Sequence, residues 1–235
     1  LEDMRLERGT FIYQDARRGT AMELTDIEGT FYAASLSGPL RTDLTFQHAG
    51  ETVHAEIAAG DFGGTRAFPL STAFTFEDRQ ARLSFSGIAT EFSQSGRIDG
   101  SLQATSGVDQ AGEPLIKLDA GLVAGPGEAT LRALKLSVPG SSFKGDASFN
   151  WRRDPRGRVS LQSQSADLGA LQAGGGTGDA LEALFDRLPA RFALAAEVET
   201  EGVLFEGRTA KALKARLVRQ DGVWELEEAV LDLPH

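Results

Sequence analysis

Cysteine is absent from this 235-residue chain, which excludes a disulfide framework, thiolate metal sites and a cysteine nucleophile. Basic residues are the minority: 24 Lys and Arg stand against 34 Asp and Glu, a formal charge of -10. A nucleic-acid binder needs a basic stripe to neutralise phosphates, and no such stripe is present. The densest basic group, Arg152, Arg153, Arg156 and Arg158, is interrupted by Asp154, Pro155 and Gly157 and reads as a solvated hairpin turn. No apolar run approaches the ~20 residues that span a bilayer, and no signal-peptide pattern opens the chain. Catalytic signatures are missing too. There is no Gly-x-Ser-x-Gly elbow and no Gly-x-x-x-x-Gly-Lys-Ser/Thr loop. Gly174-Gly175-Gly176-Thr177-Gly178 leads toward a helical pattern but lacks the lysine of a phosphate cradle, so it reads as a flexible linker. His48 and His54, with Glu51 and Glu56 nearby, match no metal-ligand spacing. Carboxylates are plentiful, yet nothing in their order selects the pair that a glycosidase requires. No catalytic residue, metal ligand or cofactor is assigned.

What is present is alternation. Hydrophobic residues make up 41% of the chain, enough for a continuous core, and 14 Phe with 27 Gly suit strands joined by tight turns. The stretch from Leu131 to Trp151 sets the pattern. Leu134, Leu136 and Val138 alternate, Pro139-Gly140 turns, and Phe143, Gly145, Ala147, Phe149 and Trp151 then share one face. Side chains on a strand point to opposite faces with period two, so this is a hairpin with one oily side and one wet side.

Similar units fill most of the chain. Residues 4–14 read as a strand with a bulge at Arg8-Gly9, and a second slip precedes Ile27. Runs through Leu40–Phe46 and Val53–Ile57 flank Ala49-Gly50, and the closeness of these segments predicts an antiparallel meander. A looser stretch, Ala58 to Ala67, separates them from runs at Leu70–Phe76, Ala81–Phe85 and Ile98–Ala104. The polar stretch 106–114 is the candidate internal boundary, although its length also fits a loop. Strands follow at 116–123, 129–138, 159–167, 192–198, 203–205, 213–217 and 224–233. One segment differs: Leu181, Leu184, Phe185 and Leu188 fall on one helical face, with Thr177 or Asp179 as its cap and Pro189 as a stop. The expectation is an all-β, mainly antiparallel single domain. It forms an elongated, curved or rolled sheet, either a groove or an open sandwich, with one short helix near 179–188. About 15 strands at ~4.8 Å spacing make a sheet on the order of 70 Å long.

The apolar stripe is the one surface with functional content. Phe74, Phe76, Leu83 and Phe85 line it in the first part of the chain. Leu134, Leu136, Phe143, Phe149, Phe192 and Leu194 line it in the second. These residues form either a filled core or the wall of a groove that accepts acyl chains.

Several phrases carry a family resemblance. Gly9-Thr10-Phe11-Ile12-Tyr13-Gln14-Asp15 with Gly19 following, Ser37-Gly38-Pro39-Leu40, Phe143-Lys144-Gly145-Asp146-Ala147, Ser165-Ala166-Asp167-Leu168 and Leu231-Asp232-Leu233-Pro234 resemble the AsmA family of the Gram-negative envelope. The resemblance implies a periplasmic body held to the inner membrane by an N-terminal helix. It also implies a role in outer-membrane homeostasis and kinship with bridge-like lipid-transfer proteins, whose curved sheets form a hydrophobic groove. The family has no catalytic motif to carry over. The chain starts in mid-pattern at Leu1 and resembles a piece of a longer protein. Leu134-Lys135-Leu136-Ser137-Val138-Pro139 is echoed by Ala229-Val230-Leu231-Asp232-Leu233-Pro234, so another glycine-rich hairpin is expected after His235.

The leading expectation is therefore a non-enzymatic, lipid-binding envelope domain whose partner is a phospholipid or another acyl-chain lipid. The alternative is a scaffold with a filled core that recruits envelope proteins through exposed strand edges. An enzyme would need two carboxylates facing each other across a cleft.

Overall fold

A computed structural model describes residues 3–15, 20–64, 66–90, 96–109, 111–152, 154–173, 191–205 and 207–232. The protein is all-β and mostly antiparallel. It divides into two compact units between Gly96 and Arg97. The stretch 106–114 lies inside the second unit, covering the end of one strand and the start of the strand it pairs with, and between them Asp109 accepts the N–H groups of Ala111 and Glu113.

The first unit is a meander of β1 (Met4–Asp15), β2 (Thr20–Ala33), β3 (Leu40–His48), β4 (Glu51–Ala59), β5 (Ala67–Phe76) and β6 (Ala81–Thr90). Each strand pairs antiparallel with the next. Between β3 and β4 the two turn residues Ala49 and Gly50 both have positive φ. That is the backbone of a two-residue turn whose twist matches the flanking strands. Arg8 and Asp26 also have positive φ and mark the bulges that sequence parity predicts. Each inserts one residue, so Ile27, Gly29 and Phe31 share a face with Leu24 and Met22 despite the change of parity. Gly29 is required where it stands, since a Cβ there would lie 2.0 Å from the Asp43 carbonyl oxygen.

Small residues set between large ones build the core of this unit. Ala55 pairs with Leu44 on one side and Phe74 on the other, and Phe74 pairs with Leu83. Ala55 is 1% exposed because its larger neighbours close over it. At the rim of the same face Glu51 is buried and ion-paired with Arg79, whose guanidinium lies 5.8 Å from the centre of the Phe76 ring.

The second unit contains β7 (Arg97–Val108), β8 (Pro114–Gly125), β9 (Glu128–Val138), β10 (Ser141–Asn150) and β11 (Arg156–Ser163), again antiparallel in chain order. The meander then breaks. β12 (Ala166–Asp167) and α1 (Leu168–Ala173) lead away, and β13 (Ala193–Thr200) returns parallel to β11. β14 (Val203–Phe205) and β15 (Arg208–Ala210) join β12 in a separate three-stranded sheet. Beyond them β16 (Ala212–Gln220) and β17 (Val223–Asp232) extend the main ladder from β13. The small sheet sits against the Pro139-Gly140 turn, where the Ser141 hydroxyl accepts the Asp167 N–H at 2.9 Å. The helix predicted at 179–188 and the glycine run 174–178 lie outside the described residues.

The core of the second unit contains Ala120, Leu131, Leu134 and Ala147, flanked by Leu102, Leu118, Leu122 and Leu136. Leu131 and Leu134 have opposite parity, and a single residue reconciles them. Ala133, at φ 49°, bulges out between them, and its N–H donates to an Asp146 carboxylate oxygen at 3.1 Å. The bulge turns both leucines to one face.

Candidate functional site

In-register pairing sets the apolar face of the second unit out in rows. One row passes from Leu122 through Leu131, Ala147, Val159, Ala196 and Leu217 to Leu226. The neighbouring row passes from Ala129 through Phe149, Gly157, Leu194 and Arg219 to Trp224. A further row pairs Leu118, Leu136 and Phe143. Period-two strands with matched register produce such rows without any specific instruction.

Exposure changes along these rows. Leu134, Phe143, Phe192 and Leu194 are buried, Leu194 at 2%. Leu136 and Phe149 are half-buried. At β17 the face opens, with Leu226 61% and Leu231 50% exposed. Of the sequence-predicted stripe in the first unit, Phe85 is buried, Phe74 and Phe76 are half-buried, and only Leu83 is exposed. The stripe is therefore mostly floor. Its exposed margin in the second unit, formed by Trp224, Leu226 and Leu231, was visible in the sequence only as a strand near the chain end. Their exposure follows from β17 having a partner, β16, on one side only among the described residues.

Two details shape the floor. Gly157 lies beneath Phe149 and Leu194, and a Cβ there would come within 2.7 Å of Leu194 Cδ1 and 2.9 Å of Phe149 Cδ1. The absent side chain lets those two groups close over the backbone, with the Phe149 ring 6.5 Å from that of Phe192. Arg219 is the polar exception. It is buried on the apolar side and donates from Nη1 to the Phe192 carbonyl at 3.0 Å. A buried guanidinium needs such acceptors, because desolvation without them is costly.

The opposite face of the same strands is ionic. Arg158 donates to Glu197 at 2.9 Å, Lys214 Nζ lies 2.9 Å from Glu199, and Arg216 lies 3.1 Å from Glu227. The hydrogen bond from Arg158, followed by its positive charge, holds the Glu197 carboxyl below the usual carboxylate range. The hydrogen bond to Glu199, followed by its negative charge, raises the Lys214 ammonium above its usual value.

The histidines of the first unit do not converge. His48 sits on the apolar-face parity of β3 and bonds the Glu23 carbonyl at 3.1 Å. His54 sits on the other face, with Thr45 at 3.3 Å and Asp43 and Glu56 each at 3.6 Å. These polar groups border a shallow dish of about 510 Å³ lined by Arg41, Asp43, Glu56, Ser71, Ala73 and Ser84. No cluster of three metal-ligating side chains occurs among the described residues. Of the arginine group, Arg152 donates its N–H to Asn150 and lies over Gly127, while Arg156 and Arg158 belong to strand β11, where Arg158 is taken up by Glu197; Arg153 lies outside the described residues.

No helix among the described residues is long and apolar enough to cross a membrane. No family model, no curated protein and no solved structure matches this chain.

Proposed function

We propose that the protein is a non-enzymatic lipid-binding β domain whose second unit receives an acyl chain along its apolar face. The observation that carries this reading is the continuity of the rows, from the buried floor at Leu131 and Leu194 to the exposed margin at Leu226 and Trp224. A chain laid along that margin needs no specific polar contact. Each buried methylene contributes ~0.8 kcal/mol, so a dozen give roughly 10 kcal/mol before the cost of ordering. The AsmA-like phrases support the same reading. They point to a periplasmic domain of an inner-membrane-anchored protein that serves outer-membrane homeostasis and takes phospholipid or another acyl-chain lipid.

Trp224 provides a reporter on the margin. With Trp151→Phe as background, a fatty acid carrying a doxyl quencher will quench Trp224 saturably, and Leu226→Glu will weaken that binding by about tenfold or more. Native mass spectrometry of protein extracted gently from envelopes will show co-purifying lipid. Absence of both signals overturns the proposal. It would favour instead a scaffold with a filled core, a reading supported by the burial of Phe85, Leu134, Phe143 and Leu194.

A further inference from the structure

The loops of the first unit differ in kind between the two ends of its strands. At one end β3 turns into β4 through Ala49-Gly50, and β5 into β6 through Glu77, Asp78, Arg79 and Gln80. Neither turn carries a large apolar side chain. At the other end β2 passes into β3 and β4 into β5, where Leu40, Ala59 and Leu70 share a row. Leu36 stands in the first of these loops at 89% exposure, the highest of any large hydrophobic residue among those described. Phe62 stands in the second, 38% exposed, with its ring 5.5 Å from that of Phe68. Both loops are internal to the meander, with paired strands on either side.

Leu36 is held outward by a braced loop. The Gly38 N–H donates to the Ser35 carbonyl at 3.2 Å, and the Ser35 hydroxyl donates to the Gly38 carbonyl at 2.8 Å. The Phe62 N–H donates to the Ser37 carbonyl at 2.8 Å and clasps the two loops together. Asp61 turns inward to accept the Gly63 N–H at 2.8 Å. The clasp needs glycine, since a Cβ on Gly38 would lie 2.6 Å from the Gly60 carbonyl oxygen. Backbone groups paired within the loops do not depend on water, which is the condition for entering an apolar medium. Behind this crest Tyr32, 45% exposed, pairs with exposed Arg41 across β2 and β3, and exposed Arg66 precedes β5. An apolar crest backed by a tyrosine and two arginines follows the layering of a bilayer surface, from acyl boundary to phosphates.

We infer that this end of the first unit is a docking tip for an anionic bilayer surface. Leu36 and Phe62 enter the boundary between headgroups and acyl chains, and Arg41 and Arg66 meet the phosphates. A protruding leucine on a convex crest suits a fluid bilayer, which closes around it, where a protein would have to present a matching socket. One leucine and part of a phenylalanine give a shallow, reversible attachment. The tip uses loops of the first unit alone, so it stands or falls separately from acyl-chain binding by the second.

The test uses the full chain and vesicles of phosphatidylethanolamine and phosphatidylglycerol in equal parts, followed by flotation. The protein is expected to float with these vesicles, and less with phosphatidylcholine alone or as salt is raised. Leu36→Ser is expected to lose about tenfold in partitioning, whereas Leu36→Phe retains it. Arg66→Gln is expected to lose about fivefold on the anionic vesicles and little on phosphatidylcholine. Because the chain has no cysteine, Leu36→Cys and Asp78→Cys can each carry a nitrobenzoxadiazole label, one at either end of the strands. Vesicles are expected to shift the emission to the blue for the Leu36→Cys label alone, and brominated lipid to quench it. Leu36→Ser should leave the far-UV circular dichroism and the quenching of Trp224 by the doxyl fatty acid unchanged. No flotation, equal flotation of Leu36→Ser, or an equal blue shift for both labels overturns the inference. So does a dimer that forms through Leu36 without vesicle binding, which would assign the tip to a second copy of the chain.

Discussion

Gly157→Ala tests the floor of the apolar face with the smallest possible change. The added Cβ would stand 2.7 Å from Leu194 Cδ1 and 2.9 and 3.1 Å from two atoms of the Phe149 ring. Carbon atoms in comfortable contact sit ~3.5–4.0 Å apart, so one of the three groups must move. Neither neighbour moves freely: Leu194 is fully enclosed, and the Phe149 ring is backed by Phe192. Overpacking of this kind costs about 1–3 kcal/mol. Replacing a glycine inside a strand returns about 0.5–1 kcal/mol. The expected net effect is a loss of about 1–2 kcal/mol, read in urea as a lower midpoint at unchanged slope. Leu194→Ala alone should cost about 2–5 kcal/mol through the cavity it leaves. In the double variant the new methyl occupies part of that cavity, and the two losses fall short of additivity by about 1 kcal/mol. If Gly157→Ala is stabilising, or if the two changes add, Phe149 and Leu194 do not close over this glycine and the account of the floor is wrong.

Asp146→Ala removes the acceptor of the bulged Ala133 N–H and should cost about 1 kcal/mol in the same urea assay; an unchanged midpoint would mean the bulge does not depend on it. The Arg158–Glu197 pair predicts a pH effect. Because the folded Glu197 carboxyl titrates below its ordinary value of 4.5, its contribution is present above that value and lost as the pH falls through the lowered one. Arg158→Gln should move the Glu197 titration, followed by carboxyl carbon NMR, back up toward 4.5, and an unmoved titration would show that the pair does not form in solution.

Most strands were legible in the sequence because alternation is a local signal. The slips at Arg8 and Asp26 were legible as well, since each leaves apolar residues on the wrong parity. Ala133 was not, because Leu131 lies upstream of a run that alternates cleanly from Leu134, and only pairing in space shows that both leucines face inward. Period two also carries no strand direction, so the parallel pairing of β11 with β13 was hidden. The same holds for the small sheet of β12, β14 and β15, whose two- and three-residue strands are too short for a pattern. The groove candidates were identified as apolar, but their depth was not. Phe85 and Phe74 look alike in sequence; the first is buried and the second half-buried because of what stands beside them.

The parallel seam between β11 and β13 has a consequence for how the molecule comes together. Hairpins zip from a turn, and every joint from β7 to β11 can form that way as the chain emerges. The seam cannot. Ala193 must first be brought back beside Arg156 after a long excursion, whose closure entropy is met before any hydrogen bond rewards it. The second unit is thus a nascent meander that waits for β13, β16 and β17 to arrive as one late instalment.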